Sequence, residues 1–248
     1  MVTLRLDGVG ACHGRRLTIS GVSTPAFAGG EVVAVIGPNA AGKSTLFKRI
    51  AGLLNGPGHV VVEGARRGRE GICYMPQDPA TSAALSVYES VLLACKQNAS
   101  WTVRNADLEL VDGVLASLGI ADIAFRGLAE LSGGQRQLAS LAQTLARRPE
   151  ILLMDEPTSA LDLQRQVQVL GLVRGLARDR GLLVLVALHD LNQVMRFADK
   201  VLVMAGGTAR ASGRCEDVIT VDLLRDVYRI DARIERCSRG DSHVIVDG

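Results

Sequence analysis

An excess of charge of either sign is missing from this 248-residue chain: 28 Lys and Arg stand against 26 Asp and Glu, for a formal charge of +2. That balance excludes the basic surplus of a nucleic-acid-binding domain or a polybasic membrane anchor, so no nucleic-acid partner is expected. A pairing pattern is missing among the five cysteines, Cys12, Cys73, Cys95, Cys215 and Cys237. Their number is odd and no two have C-x-x-C or zinc-ligand spacing, which fits reduced, mostly buried thiols in a cytosolic protein. Long hydrophobic runs are missing as well. The longest, Leu182 to Leu188, ends at His189, far short of the ~20 residues a membrane-spanning helix needs. The opening MVTLRLDGVG has no charged stretch leading into an apolar one, so no secretory signal is expected, and any membrane association would come from a partner. Without an extracellular setting, the glycosylation-like Asn98-Ala99-Ser100 and the adhesion-like Arg239-Gly240-Asp241 carry no function. Repeats and low-complexity tracts are absent, and 48% apolar content supports one large core and one catalytic unit.

What is present is concentrated in three short strings: GPNAAGKST (Gly37 to Thr45), LSGGQ (Leu131 to Gln135) and ILLMDEP (Ile151 to Pro157). The first follows an apolar, β-branched run, Glu31 to Ile36, and precedes Lys43 to Leu53, where Leu46, Phe47, Ile50 and Leu54 recur at helical spacing. Strand, glycine loop and helix in that order make a P-loop. The loop Gly37, Pro38, Asn39, Ala40, Ala41 and Gly42 turns its N–H groups, which all but Pro38 possess, toward phosphates together with the positive helix end; Lys43, Ser44 and Thr45 complete the cradle, with the Ser44 hydroxyl on Mg2+. Asp155 ends a fully apolar strand, where a carboxylate has little structural use unless it faces a cation such as that Mg2+. Glu156, one residue on, is placed to orient or deprotonate an attacking water. Ser132, Gly133 and Gly134 at a helix start form a second anion-binding nest, although serine and glycine are also ordinary capping residues. His189 interrupts a strand at its C-terminal end, the edge where doubly wound sheets bind ligands. On local pattern alone it fits a structural histidine at least as well, and Gln77, two residues past another strand, is equally ambiguous.

The remaining pattern gives an α/β fold. Leu4 to Leu17 and Thr18 to Phe27 read as antiparallel strands, and His59 to Glu63 and Gly71 to Met75 as two more, forming a small β-layer beside the P-loop. Val87 to Gln97 and Asn105 to Leu118 are helical, an insert that ends in the helix begun by Ser132. Ile151 to Met154, Leu163 to Arg180, Leu182 to Leu188, Leu191 to Phe197 and Val201 to Met204 then alternate strand and helix as a parallel doubly wound sheet requires. The division expected is a nucleotide-binding core with its β subdomain over 1–78 and 139–215, a helical subdomain over 79–138, and an appended tail over 216–248.

With these motifs in this order, the chain closely resembles the nucleotide-binding subunits of ATP-binding cassette transporters over nearly its whole length. The resemblance implies that Gly37 to Thr45 is Walker A, Gln77 in YMPQD the Q-loop glutamine and a metal contact, Leu131 to Gln135 the signature, and Asp155 and Glu156 the Walker B pair with its catalytic glutamate. Ser159-Ala160-Leu161-Asp162 corresponds to the D-loop, which brings Asp162 to the nucleotide, and His189 to the switch histidine. It implies ATP and Mg2+ as cofactors and a head-to-tail dimer in which the P-loop of one copy and Ser132 to Gln135 of the other enclose each ATP. It also implies integral membrane permease subunits as partners, a solute-binding protein as an indirect one, and a place on the cytoplasmic face of the cell membrane. Two positions depart from the pattern. Ala40 stands where glycine is common, which adds about 1–2 kcal/mol of strain if that residue needs positive φ. His13 stands where an aromatic residue, usually tyrosine, stacks on adenine.

The texture HDLN (His189 to Asn192), the single-cassette length and the tail VYRIDARIERCSRGDSHVIV are most similar to importers of iron(III)-siderophores, then of haem and cobalamin. A soluble cassette ATPase of DNA repair or translation is the other class weighed, and the double cassettes, coiled-coil or zinc inserts and basic arms usual there are missing. Loss of catalysis is opposed by the joint presence of Lys43, Asp155 and Glu156.

Overall fold

The computed structural model describes residues 1–14, 16–78, 84–97 and 102–247, and the main chain alone at His13 and Arg16. The Asn98-Ala99-Ser100 tripeptide lies outside the described residues. In chain order the elements are β1 (Thr3–Asp7), β2 (Val9–His13), β3 (Arg16–Val22), β4 (Phe27–Ala28), β5 (Val32–Ile36), α1 (Lys43–Ile50), β6 (His59–Glu63), β7 (Ile72–Met75), α2 (Val87–Lys96), α3 (Asn105–Ser117) and α4 (Gly133–Ala146). They continue as β8 (Ile151–Asp155), α5 (Leu163–Arg180), β9 (Leu183–Ala187), α6 (Leu191–Phe197), β10 (Lys200–Ala205), β11 (Thr208–Arg214), α7 (Cys215–Val218), α8 (Val221–Leu223), β12 (Ala232–Arg236) and β13 (Ser242–Val246).

The central sheet has the order β11-β10-β5-β9-β8-β7. All neighbours are parallel except the β10–β11 hairpin. Strands β5, β8 and β9 are buried at every residue, which is why they read as continuous apolar runs and not as alternating ones: both faces of a parallel sheet are covered. Alternation instead decides the face. Val33, Val35, Leu153 and Leu185 point to a core shared with α1 and the β-layer through Leu46, Phe47, Leu4, Ile19 and Phe27. Ala34, Ile36, Met154 and Val186 point to the opposite core, shared with α2 to α6 through Val91, Val111, Leu141, Leu170 and Val194.

Some strand assignments change. The stretch Leu4 to Leu17 is not one strand: it breaks at Gly8, where φ is +58°, and its last two residues belong to β3, while Thr18 to Phe27 is divided between β3 and β4; β1 joins β4 and β6, and β2 pairs with β3. Strand β7 leaves the β-layer and forms the edge of the central sheet, in parallel register with β8. Three of its four residues are buried, whereas β6, exposed at both ends, stays in the β-layer opposite β1. The segment 216–248 buries Ile219, Leu224, Ala232 and Val244 in the second core, beside Cys215. Helix α4 runs unbroken across the expected 138/139 boundary. No helix among the described residues is long and apolar enough to cross a membrane.

Candidate nucleotide site

Strand register brings the scattered motifs to one line. Met75 pairs with Met154, Asp155 with Ala187 and Val35 with Ala187. Two residues past the first pair stand Gln77 and Glu156, and just past the others stand Gly37 and His189. All four therefore meet at the carboxyl edge of the central sheet, where an open α/β sheet binds ligands. Gln77, Glu156 and His189 border a cleft of about 800 Å³ whose wall also includes the loop Asn39 to Thr45.

The loop between β5 and α1 is built for close approach. Gly37 has φ +146°, and a Cβ there would collide with the Met204 carbonyl. Ala40 is held at φ +60°, so the conditional strain at that position is realised. Helix α1 opens on Gly42 with no side-chain cap and no acidic residue in its first turn, leaving its N–H groups and dipole for an anion. Lys43 is buried, and its Nζ donates to the carbonyls of Gly37 (2.8 Å) and Pro38 (3.3 Å). Burial lowers its pKa, opposed by the charges of Glu156 and Asp155.

Asp155 is 2% exposed. Tyr74 donates its phenolic proton to Oδ2 across 3.1 Å, while Oδ1 is buried without a partner. Burial raises the carboxyl pKa; the neighbouring Ser44 and Tyr74 hydroxyls pull it down. A buried carboxylate oxygen with no partner is costly unless a cation meets it. It fits Mg2+, which takes one or two protein oxygens and leaves its other positions to phosphate and water. Among the described residues no group of three or more His, Cys, Asp and Glu could hold a metal, which is consistent with so sparse a ligand set.

Glu156 is held on both sides. Gln77 donates Nε2 to its Oε2 at 3.0 Å, and Nε2 of His189 lies 2.5 Å from its Oε1. Its backbone is strained, with φ +51°, and such strain persists only where surroundings over-determine it. Here Gln137 does so: its Nε2 donates to the Glu156 carbonyl (2.7 Å) and to Ser159 Oγ (3.2 Å), and its Oε1 accepts from the Ala160 N–H (3.1 Å).

The LSGGQ string lies elsewhere. Ser132 caps α4 in a reciprocal box, its Oγ accepting from the Gln135 N–H while Gln135 Oε1 accepts from the Ser132 N–H. A Cβ on Gly134 would lie 2.8 Å from the Ala160 carbonyl, so that glycine lets the loop before α5 pack on the helix start. Asp162 caps α5 through its Oδ1, which accepts from the Arg165 N–H at 2.8 Å. Ser132, Gly133, Gly134, Gln135 and Asp162 share a separate groove of about 410 Å³ that has no wall residue in common with the P-loop cleft. Within one chain the two halves predicted from sequence therefore line different cavities. His13 ends β2, and its side chain lies outside what is described.

Residues 23–159 match the family model for ABC transporters. The chain belongs to the ABC transporter family. It is 32% identical to the iron(3+)-hydroxamate import ATP-binding protein FhuC of Bacillus subtilis, over 94% of this chain and 90% of that one. It is 36% identical to the hemin import ATP-binding protein HmuV of Bradyrhizobium diazoefficiens, over 90% and 87%. Among solved structures it resembles a metal-chelate type ABC transporter in an inward-facing conformation, with a TM-score of 0.85 and 26% identity, over 100% of this chain and 98% of that one. This ABC ATP-binding subunit therefore has the expected α/β fold, a parallel-sheet core with small antiparallel sheets and packed helices.

Three residues that line or brace the site were missed from sequence: Thr18 on the cleft wall, Tyr74 and Gln137. Tyr74 sits in the quoted YMPQD and Gln137 two positions past LSGGQ, so both lay within reach. Neither type announces chemistry by itself.

Proposed function

We propose that this ABC subunit hydrolyses ATP to drive import of a metal chelate, specifically an iron(III)-siderophore, through a partner permease at the cytoplasmic face of the cell membrane. The observation that carries the reading is the Glu156 carboxylate, gripped by Gln77 and His189 at the rim of the cleft walled by the P-loop. Glu156 orients and deprotonates the attacking water, and His189 fixes the carboxylate and steadies the charge that grows on the γ-phosphate. Lys43 and the open N–H groups of α1 bind the outer phosphates. Ser44, Asp155 and Gln77 would hold Mg2+, which when bound neutralises phosphate charge.

The separateness of the Ser132 groove supports the two-copy arrangement: Ser132 of a second copy supplies the far-side donor to ATP, much as an arginine finger acts in trans. Binding closes the pair and hydrolysis releases it, and the helices around Gln77 pass that motion to the permease. A solute-binding protein delivers the cargo. Likeness to FhuC along most of the chain supports the siderophore, with haem, cobalamin or another metal compound as alternative cargo.

The test is phosphate release from ATP by the full chain and by Glu156→Gln. Turnover should fall by roughly 10²-fold or more with nucleotide affinity retained, and normal turnover in the variant removes Glu156 from its role.

A further inference from the structure

In the run from His189 to Gln193, four side chains make bonds, and no two share a partner. His189 meets Glu156. Asp190 Oδ1 accepts from the N–H groups of Asn192 (2.8 Å) and Gln193 (3.2 Å) and so fixes the start of α6. Asn192 exchanges two hydrogen bonds with the main chain of Val244, 2.8 Å and 3.2 Å long, joining α6 to β13. Gln193 donates from Nε2 to Gln166 Oε1 across 2.6 Å. Gln166 in turn donates from Nε2 to the carbonyls of Thr158 (3.2 Å) and Leu161 (3.0 Å).

The directions are forced. Two carbonyls face the Gln166 NH₂, so its oxygen must face Gln193, which must then present its own NH₂. The result is one continuous line of donors from α6 through α5 into the loop that follows Glu156.

We infer that Gln193 and Gln166 are positioning residues for the ATP hydrolysis proposed above, on which this inference rests. The ladder between β8 and β9 ends at Asp155 and Ala187. Beyond it the two chain segments are joined by the side-chain bonds Glu156–His189 and Gln166–Gln193. A chamber of about 230 Å³ lies between these two links, walled by Glu156, Thr158, Ser159, Gln166, His189 and Gln193 among others. The glutamine pair spaces the two sides of that chamber, and this spacing sets how the strained Glu156 peptide presents its carboxylate to His189. Neither glutamine lies in the P-loop, the signature or the DEP string.

The experiment measures phosphate release by the full chain across a range of MgATP, for wild type, Gln193→Ala, Gln193→Met, Gln166→Ala and the double alanine variant. Binding of a fluorescent ATP analogue and the thermal midpoint are recorded for each. Methionine keeps the volume of Gln193 without its donor. Gln193→Ala and Gln193→Met should lose kcat alike, by about tenfold, with KM and analogue affinity within about twofold of wild type. The double variant should be no slower than Gln166→Ala, because both act on one contact. Unchanged kcat in Gln193→Ala, wild-type kcat in Gln193→Met, a loss confined to KM, or a kcat loss that only tracks a falling thermal midpoint would each overturn the inference while leaving the hydrolysis reading intact. A wild-type chain with no ATPase activity would overturn both.

Discussion

The side-chain amide of Gln137 donates to the main-chain carbonyl of Glu156 across 2.7 Å, so the helix headed by Ser132 holds the peptide that carries the acid. Gln137 is 4% exposed, so its own amide has no water to turn to once these part-buried bonds are lost. Gln137→Ala should therefore destabilise the chain by about 1–3 kcal/mol in urea unfolding, the cost of leaving buried polar groups unpaired. It should also slow ATP turnover more than it weakens ATP binding. A change below about 0.5 kcal/mol would mean the bonds are replaced elsewhere.

Asp155 sets function against stability. Burial holds its carboxyl above the ordinary carboxylate range, so the unfolded chain gives up this proton at lower pH than the folded one. At neutral pH the ionised group costs the fold stability, and that cost shrinks as pH falls below the folded pKa and is gone below the lower, unfolded one. Asp155→Asn should accordingly raise nucleotide-free stability at pH 7, by about 1–3 kcal/mol. The gain should shrink on acidification, and Mg2+ should no longer tighten ATP binding. Lower stability at pH 7, with Mg2+ dependence preserved, would refute both halves.

Ser132 and the P-loop cleft belong to separate cavities. If one ATP bridges two copies, Ser132→Arg should bind ATP as a monomer and fail to dimerise in sedimentation with MgATP, because a bulky cation replaces a small donor at the helix start. A dimer fraction equal to that of wild type would end the bridging scheme.

Ala40 holds φ +60°, which costs about 1–2 kcal/mol for a residue with a Cβ. Glycine relieves that strain but loses about 0.4–1 kcal/mol through the freer unfolded chain. Ala40→Gly should thus be neutral or stabilising by up to roughly 1 kcal/mol, whereas Ala142→Gly, inside α4, should destabilise by about that amount. Equal losses at both positions in thermal unfolding would contradict the strain assigned to Ala40.

Everything that depends on local order along the chain is legible in the residues alone. The apolar runs at Val32, Ile151 and Leu183 demand burial on both faces, the spacing of Leu46, Phe47 and Ile50 demands a helix, and a glycine loop between strand and helix can do little except receive an anion. Those local demands were enough to mark Lys43, Asp155 and Glu156, and helix α5 was delimited to the residue. Tertiary structure decided everything that depends on register between strands distant in sequence. Which pairs end level with Glu156, that Ile72–Met75 joins the central sheet, and that the segment after 215 fills the core are all long-range choices. So are the three glutamines, Gln137, Gln166 and Gln193. An amide has no periodicity or charge to reveal it, and its partner is chosen only when two elements from far along the chain come to rest against each other.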